Sequence, residues 1–65
     1  MRILRRRLPV GMAAMLCCAR QVVVVHRSLS EAGTLAAVAI AIERCDGLFG
    51  IVMLAELKRV ARMVA

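Results

Sequence analysis

Aromatic residues are almost absent from this 65-residue chain, which has one Phe (Phe49) and no Trp or Tyr. Hydrophobic residues still make up 63% of the sequence, so the apolar surface consists mostly of Ala, Val, Leu, Ile and Met. These side chains pack readily, but they lack the large, shaped anchors that fix a unique core. A chain of this length also buries only about 60% of the surface that its unfolded form exposes. We therefore expect a partner chain or a bilayer to cover part of the apolar surface.

The residue types from which most active and metal sites are built are also scarce. The chain has three Cys, of which Cys17 and Cys18 are adjacent and Cys45 stands alone, and it has no C-x-x-C pair. This odd count argues against a disulfide framework and a zinc site, so we interpret the thiols as free, small hydrophobic side chains. His26 is the only histidine, and the nearby Ser28 is better explained as a helix cap than as a nucleophile.

Motifs for catalysis or cofactor binding are missing as well. No glycine-rich phosphate loop, nucleophile elbow or H-E-x-x-H zinc motif occurs, and the four acids are scattered singly. Scattered carboxylates provide neither a general acid and base pair nor a hard-metal cage. The sequence therefore predicts a protein that is not an enzyme and has no catalytic residues, cofactor or metal site.

No acidic residue precedes Glu31, and this first part of the chain carries the whole formal net charge of +6. From Glu31 onward, four acids balance four bases. An Arg-rich segment without acids is typical of targeting signals, membrane-surface elements and polyanion-binding arms. We divide the chain into a basic, apolar N-terminal segment (1–27) and a small helical module (28–65). The predicted contacts with a membrane or polyanion are Arg2, Arg5, Arg6, Arg7 and Arg20.

The N-terminal segment has the outline of a secretory signal peptide. Residues 1–9 are basic, and residues 10–19 form a short uncharged, apolar run, although no A-x-A cleavage site closes it. If the segment is retained instead, a helix over residues 10–25 spans about 24 Å, which is less than the roughly 30 Å hydrocarbon core. We then expect shallow insertion, with Arg20 at the lipid headgroups. Both interpretations predict an exported or membrane-associated protein.

The module at 28–65 begins with a helix-start pattern. Ser28 fits the N-cap position and Glu31 the N3 position of a capping box, and Gly47 fits a glycine at the helix C-terminus. These positions predict a first helix over about 29–46. Its middle is apolar on every side, so we expect this helix to be buried all round.

A second helix is predicted over about 48–64, and it packs antiparallel on the first. The fold class is then mainly α, a short helical hairpin behind the basic, apolar N-terminal segment. Apolar residues recur along one face of the second helix at helical spacing. We expect this face to pack on a second copy of the chain or on a helical protein partner; its residues are Met53, Leu54, Leu57, Val60, Ala61 and Val64.

A β-α-β-α interpretation stays open as the alternative. The run QVVVVH at 21–26 contains four consecutive valines, which suit a buried strand better than a helix. The run LFGIVML at 48–54 follows an Asp-Gly turn and fits a second strand. With these strands the chain is a fragment of a parallel α/β domain.

Three hypotheses about function follow. The first is a small, non-catalytic protein that its basic N-terminal segment targets or tethers to an anionic membrane, while the helical hairpin packs on a partner. The second is a small, basic nucleic-acid-binding protein, with Lys58, Arg59 and Arg62 as a further basic cluster. It is the second choice because base-reading residues and aromatic stacking residues are lacking. The third is a truncated α/β domain or a spurious reading frame without independent function.

Overall fold

The N-terminal part of the chain contributes three of the four strands that the structure describes. The computed structural model describes residues 1–47 and 49–64. Its helices are α1 (Glu31–Glu43) and α2 (Leu57–Met63). Its strands are β1 (Arg2–Arg6), β2 (Ala14–Cys17), β3 (Val22–His26) and β4 (Ile51–Leu54).

The strands form one mixed sheet in the order β1-β3-β2-β4. β1 and β3 run parallel, with Arg6 beside His26. β2 is antiparallel to both of its neighbours, so Leu16 lies beside Val23 on one side and Val52 on the other. Because β3 and β4 both oppose β2, the segment from β3 through α1 to β4 is a β-α-β unit with β2 inserted between its strands.

The core lies between the sheet and the helices. Side chains alternate between the two faces of a strand, and one face of this sheet packs against α1, which contacts β2, β3 and β4. α2 packs on α1. Removing these aliphatic side chains from water is the main favourable contribution to folding. The buried core residues on the strands are Ala14, Leu16, Val23, Val25 and Leu54, and those on the helices are Ala37, Val38, Ala41 and Val60.

The predicted mainly α hairpin is wrong, because the chain forms a small α/β fold with a four-stranded mixed sheet. Instead of one helix over 48–64, Ile51–Leu54 is a strand and a helix begins only at Leu57. β4 pairs with β2 along its whole length, and this pairing favours the strand over the helix. The alternative with strands at 21–26 and 48–54 has these elements in the right order, but it lacks β1 and β2 and describes a parallel sheet.

α1 is shorter than the helix predicted over 29–46 and has a different N-cap. Ser30, not Ser28, caps the helix, since its side-chain Oγ accepts a hydrogen bond from the Gly33 N–H at 3.0 Å. Capping by a serine hydroxyl satisfies one of the unpaired N–H groups of the first turn. Ser28 lies before the helix, where its hydroxyl contacts His26.

The prediction that the first helix is buried all round is also wrong for the single chain. The face that includes Ala37 and Ala41 packs inward, but Leu35 is 61% exposed and Ile42 is 47% exposed. One sheet and the seven-residue α2 offer too little surface to surround a helix of 13 residues. The outer side of α1 therefore remains apolar and uncovered.

Residues 10–25 do not form the predicted apolar helix. They contain β2 and most of β3, connected by a turn in which Gln21 has a positive φ of 52°. The branched side chains of Val22–Val25 fit a strand, where they pack between neighbouring strands. Within residues 1–47 and 49–64, neither helix has both the length and the apolar character needed to cross a bilayer.

The interpretation of all three cysteines as free thiols is wrong. Cys18, directly after β2, and Cys45, shortly after α1, form a disulfide whose Cα atoms are 6.4 Å apart. Cys17 is free and half-buried. The two bonded residues are 27 positions apart in the chain, and they meet because α1 crosses the sheet and ends near the end of β2. The disulfide therefore links the helical layer to the sheet.

Thr34 on α1 offers a test of the core. Its side chain is buried, and its Oγ1 has no hydrogen-bond partner among the described residues. A buried hydroxyl without a partner costs about 1 to 3 kcal/mol. We expect Thr34→Val, which keeps the shape, to raise the free energy of unfolding by about 1 kcal/mol in urea titrations. Thr34→Ser, which keeps the hydroxyl and removes a methyl group, should lower it; a Thr34→Val variant less stable than the parent contradicts the prediction.

Candidate functional site

One face of the sheet carries no helix among the described residues. The strand residues that alternate with the core positions point away from α1 and α2. At the β4 edge of this surface, Ile51 and Met53 are 65% and 63% exposed. We call this surface the open face. Its residues are Arg2, Leu4, Arg6, Met15, Cys17, Val22, Val24, His26, Ile51 and Met53.

The centre of the open face is apolar across all four strands. In one row Leu4 lies beside Val24, Val24 beside Met15, and Met15 beside Met53. The next row consists of Val22, Cys17 and Ile51. A contiguous apolar surface of this kind on a folded domain is typical of a binding surface, since scattered exposed residues are normal but clusters are not.

Acidic residues are absent from the open face. Glu31 and Glu43 lie at the two ends of α1, Asp46 follows that helix, and Glu56 directly precedes α2. Glu56 is also the acid in both ion pairs of the described residues, at 3.0 Å from Arg44 and 3.5 Å from Arg59. Within the described residues, no arginine of the N-terminal segment has an acidic partner. The open face therefore has an uncompensated positive charge.

The sheet places the predicted contact arginines in different positions. Arg2 and Arg6 belong to the open face and lie at opposite ends of β1, an edge strand. Arg5 points to the other side, where its Nη1 donates to the Leu29 carbonyl oxygen at 3.0 Å. Arg7 follows β1, and Arg20 lies in the turn between β2 and β3, at the opposite end of the sheet. Of the five, Arg2 and Arg6 border the apolar centre directly.

The structure does not bring the six residues of the predicted partner interface onto one surface. Leu54 and Val60 are fully buried, and Leu57 packs against the core. Met53 points the opposite way from Leu54, onto the open face. The remaining two, Ala61 and Val64, are exposed at the C-terminal end of the described chain.

A cleft lies at the carboxyl ends of β1 and β3, and the sequence did not predict it. It is open to solvent, with a volume of about 510 Å³, and its polar and charged lining residues are Arg7, His26, Arg27 and Ser28. The Arg27 N–H donates to the Arg6 carbonyl oxygen at 3.0 Å, so the chain leaving β3 stays beside the chain leaving β1. Arg27 belongs to the acid-free part of the sequence, but nothing in the sequence indicates that it adjoins Arg7.

The loop that follows β1 also lines the cleft, through Val10 and Gly11. Gly11 adopts a positive φ of 81°, a conformation that favours glycine. The Gly11 carbonyl oxygen accepts a hydrogen bond from the Leu57 N–H at 2.9 Å. This bond fixes the loop against the first residue of α2, so the cleft is held by two separate parts of the chain.

His26 and Ser28 form a hydrogen-bonded pair inside this cleft. The Ser28 Oγ is 2.7 Å from His26 Nδ1, and the Ser28 N–H donates to the same nitrogen at 3.1 Å. Nε2, the other ring nitrogen, has no hydrogen-bond partner among the described residues. No carboxylate among the described residues hydrogen-bonds to His26, so the pair lacks the third, orienting group of a Ser-His-Asp triad. The pair is part of the polar lining of the cleft.

The described residues contain no cluster of three or more His, Cys, Asp or Glu side chains that would hold a metal ion. The candidate site is a surface, formed by the open face and the cleft that adjoins it at His26. No protein-family model matches this sequence, and it matches no curated protein and no solved structure.

Proposed function

We propose that the protein is a non-catalytic, peripheral membrane protein that binds anionic lipid surfaces with the open face of its sheet. The observation that carries this proposal is the composition of that face: an apolar centre across four strands, arginines along one edge, and no acid. The acids lie on or beside the helices. The same face can therefore offer apolar contact and positive charge to one flat surface.

Two forces act together in such binding. The exposed side chains of Ile51 and Met53 gain by leaving water for the boundary between headgroups and acyl chains. Each arginine near an anionic surface adds about 1 kcal/mol, and Arg2 and Arg6 lie at this level. Peripheral proteins commonly need both contributions, because one alone gives only weak, reversible attachment.

Other occupants of the open face fit less well. A second copy stacked on it would bring the arginines of both copies into one layer that contains no acid, and like charges repel. Nucleic acid would place phosphates against the basic edge, but the apolar centre would gain nothing from a polar duplex. Aromatic residues on which single-stranded bases stack are also lacking, since Phe49 is the only aromatic in the chain.

Removal of the two open-face arginines tests the electrostatic contribution to membrane binding. We expect Arg2→Gln combined with Arg6→Gln to weaken binding to vesicles of phosphatidylcholine and phosphatidylserine by about 30-fold, since two arginines contribute about 2 kcal/mol. The measurement is co-sedimentation at several lipid concentrations. Arg59→Gln combined with Arg62→Gln is the matched control, because it removes the same charge from α2 and should change binding much less. Equal losses in the two double variants contradict the proposal.

Met53→Asp tests the apolar contribution to membrane binding without changing a core residue. Its side chain is exposed, so the variant should fold, while an acid on the open face should abolish vesicle binding. Wild-type binding to pure phosphatidylcholine vesicles that equals its binding to the anionic vesicles would count against the proposal. So would salt-sensitive binding to duplex DNA that Met53→Asp leaves unchanged, because this result supports the nucleic-acid hypothesis.

A further inference from the structure

We infer that the cleft at the carboxyl ends of β1 and β3 binds a phosphomonoester group. This inference rests on the proposed function, since it names the headgroup chemistry that the membrane-binding surface recognises. The residues that carry it are Arg7, His26 and Arg27, which line one cleft of about 510 Å³.

The two arginines of the cleft are available to a ligand in the described part of the chain. Among the described residues, no acid pairs with Arg7 or Arg27. Arg5 and Arg6, by contrast, donate to backbone oxygens. The Ser28 N–H donates to Nδ1 of His26, so the other ring nitrogen, Nε2, has no partner among the described residues. Two arginines and a histidine thus line a single opening.

This donor set fits a phosphomonoester better than a carboxylate or a phosphodiester. A guanidinium group is a planar fork that pairs with two phosphate oxygens at once. A phosphomonoester has three terminal oxygens and close to two negative charges at neutral pH, so it can engage both arginines together. Ligands of α/β proteins also commonly bind beyond the carboxyl ends of parallel strands, and β1 and β3 are the parallel neighbours that end here.

The position of the cleft links it to the open face. His26 lines the cleft and also belongs to the open face, where it lies beside Arg6. A lipid whose acyl chains contact the apolar centre can therefore place its headgroup at this end of the sheet. Arg20 lies at the other end, in the turn between β2 and β3, so it serves as a control of equal charge outside the cleft.

The first experiment uses inorganic phosphate as the probe. Titration of the folded, full chain should shift the backbone amide resonances of residues 7 and 26–28 in a saturable way, in two-dimensional NMR spectra. We expect Arg27→Gln to weaken this binding by about tenfold, as for loss of a charge-assisted hydrogen bond. Arg20→Gln should leave it unchanged. Two results would contradict the proposed phosphate site: resonance shifts spread evenly over all basic residues, or an equal loss of phosphate affinity in Arg27→Gln and Arg20→Gln.

The second experiment compares vesicles that contain phosphatidic acid, a phosphomonoester lipid, with phosphatidylserine vesicles of the same surface potential. We expect the wild-type protein to prefer phosphatidic acid and Arg27→Gln to lose that preference. Binding of this variant to phosphatidylserine should fall by no more than the roughly fivefold expected for any single arginine.

The outcomes separate the two proposals. Phosphate binding without a preference for phosphatidic acid would overturn the headgroup assignment in favour of a soluble phosphate compound. If the protein neither binds phosphate nor prefers phosphatidic acid, the proposed phosphate site is wrong. The proposal that the open face binds anionic vesicles is not affected by this result. Phosphate binding by a protein that no anionic vesicle retains would overturn the proposed membrane function and leave the cleft as a phosphate site.

Discussion

Leu54→Ala is expected to lower the free energy of unfolding by about 2 to 5 kcal/mol, whereas Met53→Ala should lower it by less than about 1 kcal/mol. Leu54 is fully buried in the core, and its neighbour Met53 lies on the open face. Loss of a buried leucine removes its transfer free energy and leaves a cavity. The measurement is urea denaturation followed by far-UV circular dichroism.

The comparison distinguishes the strand from a helix. On a strand, adjacent residues point to opposite faces, so one substitution affects the core and the other does not. On the predicted helix over 48–64, Met53 and Leu54 belong to one apolar face, and both substitutions would destabilise the chain to a similar degree. Similar losses of unfolding free energy in the two variants would therefore contradict the assignment of Ile51–Leu54 as a strand. Since a domain of 65 residues has little stability in reserve, Leu54→Ala should be largely unfolded at 37 °C.

Loss of the Cys18–Cys45 disulfide is expected to lower the free energy of unfolding by about 3.5 kcal/mol. The bond closes a loop over a sequence separation of 27 residues, and the chain-entropy relation gives this value for a loop of that size. The effect acts mainly on the unfolded chain, which becomes less restricted when the bond is absent. Thermal unfolding of Cys18→Ser, and of the wild-type protein with and without dithiothreitol, measures it.

Cys17→Ser is the matched control for this prediction. Cys17 is the neighbour of Cys18 and is free, so its replacement should change the stability by less than about 1 kcal/mol. A thiol-reactive reagent provides an independent check. When the wild-type protein is unfolded without reductant, one thiol should react, and when it is unfolded after reduction, three thiols should react. Three thiols in the unreduced protein would show that the bond does not form.

The sequence was most informative about charge. The acid-free first thirty residues predict a basic surface, and the open face and the cleft together use Arg2, Arg6, Arg7 and Arg27 from this region. The sequence could not show which of these arginines adjoin each other. Arg7 and Arg27 are 20 positions apart in the sequence, and they meet because β1 and β3 run parallel and end together.

The C-terminal half shows why the fold class was predicted wrongly. Met53, Leu57 and Val60 recur at helical spacing, while Ile51 to Leu54 is also an acceptable strand. Short apolar runs do not distinguish the two structures by pattern alone. The antiparallel pairing of β4 with β2, from Ala14 beside Leu54 to Cys17 beside Ile51, is a contact between distant segments. No local pattern contains it.

The sequence by itself therefore determined the local and compositional properties: the uneven charge, the lack of aromatic anchors, and a helix that includes 31–43, although its predicted bounds of 29–46 were too wide. These depend on single residues or on neighbours within a few positions. Only the tertiary structure decided the strand at 51–54, the Cys18–Cys45 bond, the open face and the cleft. Each of these joins segments that are far apart in the chain, and such contacts form because the sheet and the helices must bury their apolar faces together.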